Sequence, residues 1–304
     1  MPQADATSPP RGRLLGASGA SAGPCSVGNA LRRGISVLSE STGSARADAL
    51  ILLAHVLGRS REWIVAHDDA RLSEGDLALF TDLCARRRQG EPVAYITGSA
   101  CFYGREFIVD ESVLVPRPET EHLVDEAVAF LRGLGTAGRV LDVGTGSGAI
   151  ACTIAAETNA VVDATDVSPE AVALAARNAE RLAIGGRCRF LCGDLAAPVK
   201  GERYDVVVAN LPYVPTADLP AGPDSTSFEP RVALDGGPDG LTVYRALLRG
   251  IADHVTAKAM VLLEAAPPTI ERLIELTQNS LRNSTVTIGN DYAGLARYVK
   301  GTLK

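Results

Sequence analysis

No stretch of this sequence approaches the roughly 18 consecutive apolar residues that a helical membrane span needs, and this excludes an integral membrane protein of that kind. A secretory signal would need an apolar core of about 7–15 residues, and the longest candidate near the start is the pair Leu14–Leu15. Lysine is nearly missing: Lys200, Lys258, Lys300 and Lys304 are the only four among 30 basic residues. Against them stand 36 acidic residues, for a formal net charge of −6. Neutralising phosphates takes surplus Lys and Arg, so the acid excess speaks against a non-specific nucleic-acid coat. The six cysteines (25, 84, 101, 152, 188 and 192) include no CxxC pair, and the four histidines (55, 67, 122 and 254) are scattered. Cys188 and Cys192 have the spacing of one strand face, but a metal site needs two further ligands, so free thiols are the better reading. A disulfide framework is not expected in a chain this long without a secretory signal. The compartment these residues predict is reducing, hence cytoplasmic.

What is present is globular in character: 46% hydrophobic and 22% charged residues over 304 positions, enough for one large domain or two smaller ones. Residues 1–28, rich in Ala, Ser, Gly and Pro, read as a disordered extension, with an organellar transit peptide as the alternative. Residues 29–90 read as a small helical bundle. Leu50, Leu53, Ala54 and Leu57 fall on one helical face, further helical runs follow at Arg61–Val65 and Gly75–Arg88, and Ser73 is placed to cap the second. The run Arg86-Arg87-Arg88 reads as a solvated helix end. Residues 91–118 read as a linker of strands and turns, with a strand over Phe107–Val115 closed by Pro116 and Pro118. From 119 to 304 strand-like and helical segments alternate regularly, which predicts an α/β, doubly wound, Rossmann-like parallel sheet covered on both faces.

Chemistry concentrates where predicted strands end. Val140–Gly148 is an apolar strand running into glycines at 144, 146 and 148, with Thr145 and Ser147 between them and a helix directly after. Glycine there lets the backbone turn tightly and approach a ligand. Asp142, two residues before the first glycine, is of no use to a phosphate cradle but suits a sulfonium ligand with a free amino group. Asp166 ends the next predicted strand, where ribose hydroxyls are read in doubly wound folds, and Ser168 competes with it for the N-cap of the following helix. Asp194 and Leu195 end the third strand, placed to meet an adenine amino group and ring. Asn210-Leu211-Pro212-Tyr213 ends the fourth. An amide or aromatic amino nitrogen is a poor nucleophile, and methylating it calls for two acceptors on its N–H groups. The Asn210 carbonyl and the Leu211 backbone carbonyl can be those acceptors, with Pro212 stiffening the turn and Tyr213 stacking on a planar target.

On these residues the chain resembles the class I S-adenosylmethionine-dependent methyltransferases. More closely it resembles the HemK-type family that methylates the glutamine side-chain amide of peptide chain release factors. The likeness extends over most of the chain: Glu91–Gly98, Val115–Glu121, the glycine turn, Asn210–Tyr213, Phe228–Gly237, and Asp291–Gly294 with Arg297. It implies a seven-stranded methyltransferase domain and an N-terminal helical bundle that recognises the protein substrate, joined by a β-hairpin. It also implies S-adenosylmethionine on Gly144–Gly148, Asp166 and Leu195, with the target glutamine at Asn210–Tyr213. Two positions depart from the family pattern: Leu211 stands where Pro is usual, and Ala266 where a glycine often follows Glu264 by two. Neither removes a reacting group. Methylation of another protein glutamine (as in a ribosomal protein), of a small-molecule nitrogen or of an exocyclic adenine amino group would use the same four-residue turn. The last of these would want a basic target-recognition region. A partner-binding pseudo-enzyme is the non-catalytic rival. No metal, no membrane contact and a monomeric state are expected.

Overall fold

The computed structural model describes residues 25–220, 222 and 224–304, so the expected N-terminal extension lies outside the described residues up to position 24. Five helices come first: α1 (Val27–Leu38), α2 (Ala45–Leu57), α3 (Arg61–Ala66), α4 (Glu74–Arg88) and α5 (Val93–Thr97). Ser26, Ser60 and Ser73 cap α1, α3 and α4, each side chain accepting a backbone N–H three residues on. Leu38, Leu52, Leu53, Ile64 and Phe80 form the bundle core. The buried face of α2 differs from the expected one. Ala49, Leu52 and Leu53 are fully buried while Leu50 and Leu57 are half-buried, because α2 packs against α1, α3, α4 and α5 at once. The arginine run is a solvated end only at Arg88, which is exposed. Arg86 pairs with Glu91, and Arg87 donates to Asp48 at 2.7 Å and to Thr42 and two backbone carbonyls, which ties the end of α4 to α2.

The linker opens with helix α5, where strands and turns were expected, and continues as a hairpin, β1 (Ser99–Phe102) and β2 (Arg105–Ile108). Tyr103 and Gly104 turn it with φ of 51° and 70°, the paired left-handed conformation that matches hairpin twist. The expected strand through Val115 stops at Ile108, though Val109 and Val113 stay buried against Ala171 and Leu174.

The remainder runs α6 (Glu121–Leu134), β3 (Arg139–Val143), α7 (Ala149–Glu157), β4 (Val161–Asp166), α8 (Pro169–Arg181), β5 (Cys188–Cys192), β6 (Tyr204–Ala209), α9 (Thr242–Gly250), β7 (Val255–Glu264), α10 (Pro267–Ser280), β8 (Ser284–Asn290) and β9 (Ala296–Leu303). The strands form one seven-stranded sheet in the order β5-β4-β3-β6-β7-β9-β8. It is not wholly parallel: β9 runs antiparallel to both β7 and β8. Side chains alternate across it as strand geometry requires. Val140, Val206, Val208 and Leu262 face one core with α6 and α7, and Leu141, Val207, Val261 and Leu263 face the other with α9 and α10. Truncating a residue such as Leu262 to Ala would cost about 2–5 kcal/mol. Phe102 and Phe107 of the hairpin belong to the first of these cores. The chain order reverses at β3, and a sheet of this kind presents a crevice at the carboxyl ends of the strands on either side of such a switch point.

All six cysteines are free. No described helix is long and apolar enough to cross a membrane.

Candidate active site

The crevice is a cavity of about 300 Å³ at the carboxyl ends of β3, β4 and β6, within the range of small-molecule sites. Its floor is the turn after β3. Gly144, Gly146 and Gly148 have φ of 74°, 53° and 78°, a region that side chains with a Cβ rarely adopt. Space is short as well: a Cβ on Gly144 would come within 2.8 Å of Leu211 Cδ2, and one on Gly148 within 3.2 Å of the α8 backbone at Ala175. The turn is fastened to β4, since the Gly144 and Thr145 N–H groups both donate to the Thr165 carbonyl.

Asp142 lies fully buried beneath this turn, off the cavity wall. Its Oδ2 accepts from the Thr145 hydroxyl at 2.7 Å and the Ala151 N–H at 3.2 Å, while Oδ1 has no partner among the described residues. Burial pushes its pKa up to about 7 against the pull of those two donors. Asp166 lines the cavity and accepts the Gly146 and Ser168 N–H groups, one on each carboxylate oxygen. The N-cap of α8 is Ser168, whose hydroxyl accepts from Ala171, so Asp166 is left for the cavity. Asp194 and Leu195 line the far side, with Leu195 at a left-handed φ of 48°, a strained conformation of the kind that concentrates at ligand sites.

The opposite wall comes from the end of β6. Asn210, Leu211 and Pro212 all line the cavity, whereas Tyr213 turns behind it with its phenol 3.5 Å from Glu264 Oε1. Burial, with the Glu264 charge beside it, raises the Tyr213 pKa. Asn210 Nδ2 donates to Thr120 Oγ1 at 3.1 Å, and neither Asn210 Oδ1 nor the Leu211 carbonyl accepts a bond from any described residue. The two departures from the family pattern fit without strain. The Leu211 N–H, absent from a proline, donates to the buried Tyr244 hydroxyl at 3.1 Å, and that hydroxyl in turn donates to the Glu264 carbonyl. Ala266 caps α10 at φ −82°, ψ 154°, extended backbone that needs no glycine.

Several residues that no strand-end pattern singled out complete the site. Thr120 and Arg117 line the cavity from the segment before α6. Arg117 pairs at 2.5 Å with the buried Glu229, which also accepts the Val115 N–H, so the segment before α6 and the loop after Tyr213 are joined. Glu264, at the end of β7, is almost fully buried, and burial raises its pKa to about 7 while Thr120 and Tyr213 draw it down. In the sequence it is signalled by its place after an apolar strand and by the family pattern around Ala266.

A doubly wound sheet of this order with a left-handed glycine turn facing an Asn-Leu-Pro-Tyr turn across one cavity defines a class I methyltransferase. The family model described as "Methyltransferase domain" matches residues 140–223, and that described as "PrmC N-terminal domain" matches residues 29–98. The chain belongs to the release factor glutamine methyltransferase family. The relative so named from Bordetella pertussis is 40% identical over 86% of this chain and 96% of its own length. That from Salmonella typhimurium is 37% identical over 85% and 92%, and that from Geobacter sulfurreducens 41% identical over 73% and 77%. Among solved structures, the hMettl16 catalytic domain in complex with the MAT2A 3′UTR hairpin 6 aligns with a TM-score of 0.53, at 12% identity, over 76% of this chain and 83% of that one. At that identity the likeness is one of fold.

Proposed function

We propose that the protein transfers a methyl group from S-adenosylmethionine to the side-chain amide nitrogen of a glutamine in a peptide chain release factor. The observation that carries this reading is the pair of free acceptors, Asn210 Oδ1 and the Leu211 carbonyl, on one wall of a cavity whose floor is the glycine turn. A primary amide offers two N–H groups and a delocalised lone pair. Two acceptors at the wall can hold both hydrogens and leave the nitrogen's remaining face toward the cavity. Apolar residues of the lining, among them Phe102, Val113 and Ile150, limit the water around the reacting atoms.

The residues fit the cofactor. Asp142 Oδ1 is an orphaned buried acceptor under the turn that the cofactor's amino end would approach, and the turn has no room for side chains at Gly144 or Gly148. Thr145, Gly146 and Ser147 would flank that end, Asp166 would take ribose hydroxyls on its remaining lone pairs, and Asp194 and Leu195 would meet the adenine. When bound, S-adenosylmethionine supplies a methyl group already activated by its sulfonium sulfur. Asn210 and Leu211 then have only to orient the amide, and the proton it sheds passes to water. Docking of the protein substrate falls in this reading to α1–α5, the region that the PrmC N-terminal domain model matches, and the names of the relatives support a release factor as that substrate.

Incubation with methyl-labelled S-adenosylmethionine and release factor, ribosomal proteins or RNA tests the reading. Label on the release factor glutamine is expected. Label in RNA and none in release factor would replace it with base methylation.

A further inference from the structure

Arg117 is the one cation among the described residues that line the cavity, and few of its donors are in use. Its Nη2 donates to Glu229 at 2.5 Å, while Nε and Nη1 bind no described residue. The Arg117 side chain is 35% exposed and that of Glu229 1%. A carboxylate so buried, fixed on its other oxygen by the Val115 N–H at 3.1 Å, is a firm anchor for one edge of a planar guanidinium. The surrounding chain shows which wall the remaining donors serve. Arg117 precedes the single 3-10 turn Pro118–Thr120, closed by the Thr120 N–H on the Arg117 carbonyl at 3.1 Å. One turn apart, both side chains line the cavity, and Thr120 accepts from Asn210 Nδ2. On its other flank, Glu229 leads into Pro230, Val232 and Ala233, which also line the cavity, with Val232 56% exposed. Arg117 therefore stands at the mouth, on the Asn210 side.

What such a group binds follows from its charge. Paired with Glu229, the guanidinium is part of a neutral unit, and a second carboxylate brought to it would be repelled by the first. An uncharged carbonyl meets no such penalty and needs only a donor. The amide carbonyl of the target glutamine is a poor choice, since a donor there draws the lone pair further from the nitrogen that must attack. The carbonyls that remain belong to the polypeptide that carries the glutamine, which has to pass the mouth for the side chain to reach Asn210. We propose that Arg117 binds a backbone carbonyl next to the target glutamine and so makes the site require a polypeptide in place of a free amide.

This deepens the amide-methylation reading and rests on it. Steady-state kinetics with full-length release factor test it. Arg117→Met should raise KM about tenfold, the value of one hydrogen bond to a charged group. Its kcat should stay within about twofold of the wild type, the mark of binding lost equally before and during transfer, and the Kd for S-adenosylhomocysteine should not move. That variant strands the buried Glu229 charge, so Arg117→Met combined with Glu229→Gln is measured beside it and should show the same KM. Glu229→Gln alone keeps the guanidinium and loosens its anchor, and should raise KM by only about two- to threefold. A wild-type KM in both Arg117 variants overturns the proposal. So does a matching loss of S-adenosylhomocysteine affinity, which would assign Arg117 to the cofactor's carboxylate. A Glu229→Gln effect as large as that of the double variant overturns it too, leaving Arg117 a structural tie. Failure of the wild type itself to label release factor would sink the methylation reading and this proposal with it, whereas loss of the KM difference alone sinks only the proposal.

Discussion

Two walls of the cavity are backed in the same way and built differently. Behind each is a buried carboxylate with one unpartnered oxygen and a pKa near 7, Asp142 under the glycine turn and Glu264 behind Asn210. Asp142 bonds to Thr145 and Ala151, three and nine positions away, so its wall is a local object made by one strand, one turn and the first turn of α7. Glu264 accepts from Tyr213, 51 positions away, and Asn210 is held by Thr120, 90 positions away. The wall at the glycine turn is thus specified by contiguous sequence, and the wall at Asn210 by tertiary packing that brings three distant segments together.

The comparison can be broken from the substrate side first. Asn210→Ala should lower kcat by about 10³-fold, in line with the loss of an oriented polar contact at a reacting group, with the Kd for S-adenosylhomocysteine by calorimetry kept within a few-fold. Next is the cost of holding both acids buried. Each has a folded pKa raised above its unfolded value, so its contribution to stability is full below the ordinary carboxylate range and is lost as pH rises through about 7. Glu264→Gln should therefore raise the stability at pH 8 by up to about 3 kcal/mol and change it little at pH 5, as read by chemical denaturation. Asp142→Ala should act on the other wall, weakening S-adenosylhomocysteine binding about 10- to 100-fold through a slackened turn, with kcat at saturation largely kept. The smallest effect is expected from Leu211→Pro. It removes the N–H that donates to Tyr244, for about 1 kcal/mol in stability, and leaves transfer near wild type because the carbonyl stays.

The same division accounts for which features are legible in the order of the amino acids. Strands β3 and β6 end where the sequence places the ends of apolar strands, at the glycine turn and at Asn210, because a buried strand running into a turn is written in local pattern. The glycine turn and the 210–213 turn are legible for the same reason. Helix α5 is not: Val93–Thr97 spans barely one turn, with no room for a periodicity to appear. The antiparallel placement of β9 is hidden too, since a strand's direction leaves no mark in its own residues. Thr120 carries no signal as a site residue beyond its neighbours in Val115–Glu121, and Arg87 reads as a surface charge because its partners Asp48 and Thr42 lie 39 and 45 positions back. Position 213 shows the limit within a motif: the turn is legible, yet the side chain points to Glu264 behind the wall.

Asn178, on α8, does not line the cavity, yet its one side-chain amide serves three backbone groups: it accepts the Ile108 N–H and donates to the carbonyls of Ile108 and Ser147. The first two belong to the hairpin and the third to the glycine turn. A single rivet therefore fastens the arm that carries the bundle to the loop that would hold the cofactor. Anyone dissecting the chain should cut on the bundle side of Ser99. A fragment beginning at residue 119 would leave that amide with two of its three partners gone and Phe102 and Phe107 missing from the sheet's core, and would be expected to bind nothing well.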